Sequence, residues 1–214
     1  MNTFQLPMNP GRCPYNEYLL VLNPNSHVQE KILRVREDFS KIFKVPSPNL
    51  PYPHITLVSF LQFKILENRL ISRLKIIAMG HPPFTVSLKD YGSLPAHSLL
   101  VNIESKQQVR NLICELTSAR RLMTLNSGKR PHFTGDPHLI IARNLLPWQY
   151  EKSWNQYSHK HFTARFMAEN MVLLRRPVAL NQEGNIIFGK YQKVMQFKFM
   201  NLPVTTKQGK LFGA

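Results

Sequence analysis

At 214 residues, with 43% hydrophobic and 10% aromatic content, the chain is long enough to bury a core, which excludes a disordered polymer. Lysine and arginine number 28 against 12 acidic residues, a formal charge of +16 with a pI near 10.2. That excess disfavours cationic partners and favours anionic ones, nucleic acid first and an anionic membrane second.

Residues 1–14 read as a loose, proline-rich lead-in. Glu17–Asn23 is a short apolar run ending in Asn-Pro, a buried strand. Ser26 is placed to cap a helix to about Phe43, with Val28, Ile32, Val35 and Phe39 at helical spacing. Val45–Pro53 is a proline-rich loop, and the β-branched, apolar His54–Phe60 is a strand. Ile65 to about Met79 is a second helix, ended by Gly80-His81-Pro82-Pro83. Phe84–Tyr91 and His97–Ile103 follow as strands. Ser105 caps a third helix to about Met123, and Asn126–Pro131 is a basic turn. His138–Arg143 is a strand, and Pro147 opens a fourth helix to about His161. Phe166–Arg175 and Tyr191–Met200 read as long strands joined by a turn at Gln182–Asn185. The order mixes adjacent strands with strands separated by helices, which predicts an α+β fold with mainly antiparallel sheets. One unit is expected over residues 15–203, followed by a tail at 204–214.

Two isolated cysteines, Cys13 and Cys114, form no CxxC or metal spacing and fit a reducing compartment. Met1–Pro14 lacks the apolar stretch of a secretory signal, and no apolar run reaches the ~18 residues that cross a bilayer. A cytoplasmic monomer with no membrane partner is expected. No His/Cys/Asp/Glu cluster has zinc spacing and no glycine-rich phosphate loop is present, so neither metal nor cofactor is expected, and an ATP-driven ligase is disfavoured.

Pro53-His54-Ile55-Thr56-Leu57 and Pro137-His138-Leu139-Ile140-Ile141 each place a histidine after a proline and before an apolar stretch. Residues i and i+2 of a strand share a face. His54 therefore lies with Thr56, and His138 with Ile140. Two such strands side by side would aim two imidazoles into one cleft. Histidine titrates near pH 6.5, so one ring can act as base while the other, protonated, acts as acid. A ribose 2′,3′-cyclic phosphate needs that pair: a proton taken from the attacking water and one given to the leaving oxygen. A hydroxyl at i+2, here Thr56, can hold a phosphate oxygen as charge shifts onto it.

These paired segments resemble the two-histidine (2H) phosphoesterase superfamily, in its branch of 2′-5′ RNA ligase-like proteins and RNA cyclic phosphodiesterases. The resemblance covers roughly residues 17–200 and implies a bilobal α+β fold. Two pseudo-symmetric, mainly antiparallel sheets with outer helices would each offer one H-x-[T/S]-x strand to a central cleft. It further implies His54 and His138 as the catalytic pair with Thr56, Phe60 as the aromatic after the first motif, and Arg143 as the arginine after the second. The implied partner is RNA or a small nucleotide with a cyclic phosphate, cleaved without metal and joined, in reverse, without ATP. Ile140 departs from the pattern, because it stands where the second Thr or Ser belongs and cannot hydrogen-bond. His132-Phe133-Thr134 also reads H-x-T but runs into the turn Gly135-Asp136-Pro137, a poor strand; Thr134 is the candidate to return a hydroxyl to the cleft. The alternative reading is an RNA- or nucleotide-binding module with catalysis weakened or lost at Ile140. A further one is an interaction protein on the same scaffold. The pairs Arg120-Arg121, Lys129-Arg130 and Arg175-Arg176 read as solvated surface or, around a cleft, as a grip on an RNA backbone. His159 and His161 read as structural, and His27, His81 and His97 show no partner pattern.

Overall fold

The structure, a computed structural model, describes residues 15–45, 52–94, 97–125, 129–180 and 186–203. The expected lead-in, the tail, the Gln182–Asn185 turn, Cys13 and most of the two loops after Val45 and before Lys129 lie outside the described residues. The elements are β1 (Tyr15–Leu22), α1 (Ser26–Phe43), β2 (Ile55–Phe63), α2 (Glu67–Gly80), β3 (Phe84–Leu94), β4 (Ser98–Ile103), α3 (Lys106–Leu116), α4 (Arg120–Met123), β5 (His132–Phe133), β6 (His138–Ala142), α5 (Pro147–Tyr157), β7 (Thr163–Ala168), β8 (Asn170–Leu180), β9 (Ile186–Phe188) and β10 (Gln192–Lys198). Among the described residues no helix is long and apolar enough to cross a membrane.

The strands run β10-β8-β1-β2-β6-β4-β3-β7, with β5 on β2 and β9 on β8. The α+β fold thus has two four-stranded antiparallel halves, joined where Ile55 of β2 pairs with Leu139 of β6. Each half holds a strand–helix–strand unit, β1-α1-β2 and β4-α3-β6, whose second strand begins at a histidine motif. Leu20, Leu22, Ile55, Leu57, Leu99, Val101, Leu139 and Ile141 are buried on one face under the helices, with Ile32, Phe39, Leu74 and Leu112 opposite them. The other face of the central strands is left for the cleft.

Several local readings are corrected. Asn25, not Ser26, caps α1: its Oδ1 accepts the Val28 N–H at 3.0 Å. Ser105 precedes α3 but turns its hydroxyl to accept the Ser87 N–H at 2.9 Å. The third helix stops at Leu116 and continues as a 3-10 turn and the short α4. The fourth stops at Tyr157, short of His161. The strand expected over Phe166–Arg175 is divided at Glu169, with β7 on the outer edge of the second half and β8 inside the first. Strands so far apart in the sheet are linked by one residue, so the sheet curls and the chain passes from one half into the other. The end of β10 closes on that crossing, where the Phe199 N–H donates to the Glu169 carbonyl at 2.8 Å.

Both histidine strands carry a bulge three residues after the histidine. Against β1, Leu20 pairs with Val58 and Val21 with Thr56, leaving Leu57 extra. Against β4, Leu99 pairs with Ala142 and Leu100 with Ile140, leaving Ile141 extra. A bulge inserts one residue and reverses which face the following side chains meet. Phe60 is therefore corrected from substrate-binding aromatic to core: it is 4% exposed and stacks on Tyr18, ring centroids 5.3 Å apart.

Tyr18 also anchors α2. Its Oη donates to Glu67 at 3.0 Å, and Arg175 Nη1 donates to both Glu67 oxygens at 2.8 and 3.1 Å. Burial, then the Glu67 charge, raises the Tyr18 phenol pKa. Glu67→Ala leaves that hydroxyl and the guanidinium without this acceptor, and we expect a loss of about 2 kcal/mol, discounted for partial exposure, in urea denaturation.

Candidate active site

The strand pairing and the two bulges together define the cleft. Extending the Ile55–Leu139 register one residue each way sets His54 opposite Ile140 and Thr56 opposite His138. Opposed residues share a face, so the four form a square at the junction of the halves. All four line a cavity of about 330 Å³. Beyond the square, the bulge at Leu57 turns Ser59 into the cleft, and the bulge at Ile141 turns Arg143 into it at the corresponding position of the other strand. Thr134 lines the same cavity, held there by its N–H donating to the Leu57 carbonyl at 3.0 Å. Of the residues expected at the site, His54, Thr56, His138, Arg143 and Thr134 are brought together, and Phe60 is not.

The histidines are held identically. His54 Nδ1 lies 2.7 Å from the carbonyl oxygen of Tyr52, and His138 Nδ1 lies 2.7 Å from that of Asp136. A carbonyl only accepts, so each Nδ1 carries a proton and each Nε2 is the basic nitrogen of the neutral ring. Burial lowers the His54 pKa; the Tyr52 carbonyl opposes this, and the charges of Arg36 and Arg143 add to the lowering. Near neutral pH this ring is held in its unprotonated form.

Sequence reasoning missed Arg36. It is 8% exposed on the inner face of α1, in line with Val28, Ile32, Phe39 and Phe43. An arginine within that apolar stripe was the available signal, passed over in favour of the adjacent Val35. Its Nε and Nη2 donate to the Ile140 carbonyl at 3.2 and 2.6 Å, so it fixes β6 while its guanidinium borders the cleft. Burial and the neighbouring Arg143 push its pKa down to about 10, which leaves it cationic at neutral pH.

Of the far wall, the sequence offered the Arg175-Arg176 pair but not its partners Glu17 and Tyr191. Arg175 and Arg176 alternate across β8: the first meets Glu67 outside, the second enters the cleft. Arg176 Nε donates to Glu17, Tyr191 Oη donates to the same carboxylate oxygen at 2.9 Å, and the guanidinium lies 4.0 Å from the Phe188 ring centre and 4.6 Å from that of Tyr191. The Glu17 charge offsets that of Arg176, so this end of the cleft is aromatic and nearly neutral. Arg36, Arg143 and the imidazoles make the centre basic. Among the described residues, no three His, Cys, Asp or Glu side chains gather as a metal-ligand set. Elsewhere, His81 meets Glu115 at 2.9 Å and His161 meets Asp90 at 3.2 Å, away from the cleft.

A two-halved α+β fold that presents one histidine strand from each half to a shared cleft defines the 2H phosphoesterase class. The family model of the 2′-5′ RNA ligase superfamily matches residues 24–179, well over half of the chain, and the chain belongs to that superfamily. Among solved structures, Escherichia coli LigT complexed with phosphate is similar over 87% of this chain and 98% of its own, at 14% identity and a TM-score of 0.53. LigT complexed with 3′-AMP matches over the same shares at 14% identity and a TM-score of 0.52. TT0787 of Thermus thermophilus matches over 86% and 98%, at 13% identity and a TM-score of 0.55. At these identities the likeness is one of fold. No curated protein sequence matches the chain.

Proposed function

We propose that the cleft opens ribose 2′,3′-cyclic phosphates at an RNA or nucleotide end by metal-independent acid–base catalysis between His54 and His138. The observation that carries this reading is the shared tautomer: both rings spend Nδ1 on a backbone carbonyl and keep Nε2 for a ligand. In the hydrolytic direction His54, held neutral, takes the proton of the attacking water through Nε2. The water oxygen bonds to phosphorus and the bond to one ribose oxygen breaks. His138, protonated on Nε2, returns a proton to that oxygen. Thr56, Arg143 and Arg36 supply donors and positive charge where the phosphate gains negative charge. With a 5′-hydroxyl in place of water, the same steps form a 2′-5′ linkage and consume no ATP. The phosphate and 3′-AMP bound by LigT support a nucleotide phosphate as the ligand.

Ile140 favours a weakened catalyst over a fully equipped one, because its apolar side chain occupies the position opposite His54. The test is turnover of nucleoside 2′,3′-cyclic phosphates with EDTA present, in the wild type and in Ile140→Thr. Both residues are β-branched, so the strand is preserved. We expect measurable wild-type turnover and a kcat increase towards about 10²-fold from the restored hydroxyl. The loss caused by Thr134→Val should shrink in the Ile140→Thr background. Binding of the nucleotide without turnover in either protein would point to the binding module.

A further inference from the structure

His132-Phe133-Thr134, the poor strand of the sequence analysis, is built into the cleft by several independent ties. β5 pairs with β2 through Val58–Phe133 and Ser59–His132. Gln62, 1% exposed, donates through Nε2 to the carbonyls of Leu122 and Thr124 at 2.8 and 3.2 Å, fixing the chain that leads to β5. Arg120 lies over the Phe133 ring, 5.3 Å from its centre. The result is a third histidine on the cavity wall, beside the Ser59 hydroxyl that the Leu57 bulge turns inward.

The charges around the cleft are polarised. Between Glu115 and Asp136 the sequence holds Arg120, Arg121, Lys129 and Arg130 and no acidic residue. Asp136 itself is engaged by Lys106 at 2.7 Å and Arg110 at 3.6 Å. The opposite end carries the Glu17 carboxylate and the Arg176–Tyr191 wall. A polyanion leaving the catalytic square meets a nearly neutral, aromatic wall in one direction, where Arg176 and Glu17 offset each other, and imidazole, hydroxyl and guanidinium in the other.

We propose that His132 and Ser59, backed by Arg120, form a second phosphate subsite that takes the phosphodiester next to the reacting one. The inference rests on the catalytic reading for the position of the reacting phosphate. It makes an oligoribonucleotide a better ligand than a single nucleotide. A hydroxyl and an imidazole N–H both donate to a phosphate oxygen, and hydrogen bonds to that anion are charge-assisted; each neutralised phosphate of a single strand adds about 0.7 to the salt slope of binding.

The test measures binding at several salt concentrations for a nucleoside 3′-phosphate and for a short oligoribonucleotide with a 3′-terminal phosphate. Wild-type turnover of a cyclic substrate is assayed separately. We expect the oligonucleotide to bind about tenfold tighter, with a steeper salt slope. His132→Ala should lose that advantage and flatten the slope by about one phosphate, and His132→Lys, which supplies a cationic donor at the same place, should keep both. Equal affinity for the two ligands overturns the subsite, as does an advantage that survives His132→Ala. Absent turnover with an intact, His132-dependent preference would sink the catalytic reading and leave the subsite standing.

Discussion

Alanine at either His54 or His138 is expected to lower turnover of a nucleoside 2′,3′-cyclic phosphate by about 10²–10⁴-fold. The double variant should fall little further, because the two rings act on one proton circuit and their losses do not add. Both side chains are only half-buried, so melting temperatures should stay close to wild type and separate lost chemistry from lost folding. The pH profile assigns the roles. A base must be unprotonated, so kcat/KM falls as pH drops through the pKa of His54. Burial and the two arginines lower that pKa, so the acid limb should sit below the ordinary histidine value of about 6.5. Removing Arg36 or Arg143 should move the limb upward. A limb unmoved in both arginine variants would take the base role away from His54.

The second large effect is expected at Arg36. Arg36→Met keeps much of the apolar volume of α1 but removes both donors to the Ile140 carbonyl and one cation beside the cleft. Hydrogen bonds to charged groups are worth about 1.5–3 kcal/mol, and an abandoned buried carbonyl carries its own cost. A stability loss in that range should appear in chemical denaturation. Turnover should fall by about 10²-fold or more, as β6 loosens and positive charge at the phosphate is lost. Arg36→Lys should recover charge but not the two-pronged grip, and so should restore activity more than stability. A wild-type rate in Arg36→Met would confine the residue to a packing role.

The histidine strands were legible because their evidence is local: proline, histidine and alternation are read within six residues. Fold class followed from the order of strands and helices. What escaped was nonlocal or one residue long. A bulge has no sequence signal of its own in Leu57 or Ile141, yet it decides that Phe60 faces the core and that Arg143 reaches the cleft. Strict alternation from His54 would have put Phe60 in the cleft, and from His138 would have turned Arg143 out of it. The resemblance proposed both residues for the site, and only the partners of the two strands separate them. The Arg176 wall depends on β8 and β10 joining a half whose other strands lie more than 100 residues earlier in the chain. The turn residues that follow His132 argue against a strand there, and the tie that overrides them is the pairing of β5 with β2, a strand some 70 residues earlier. In each case tertiary pairing outweighed local preference.

The crossing at Glu169 also sets an order of events during synthesis. β1 is translated long before the strand along its outer side, β8, where Asn16 pairs with Pro177. Until that strand is made, β1 shows an open edge of the kind that invites pairing with another chain. The two cleft histidines are translated well before the second wall of their cleft exists. Release of a chain before residue 170 would yield the second half nearly complete and the first without two of its four strands. The halves share a symmetry but not a history: the strands of the second are contiguous in the polypeptide, whereas those of the first come from both ends and cannot be cut out as one piece.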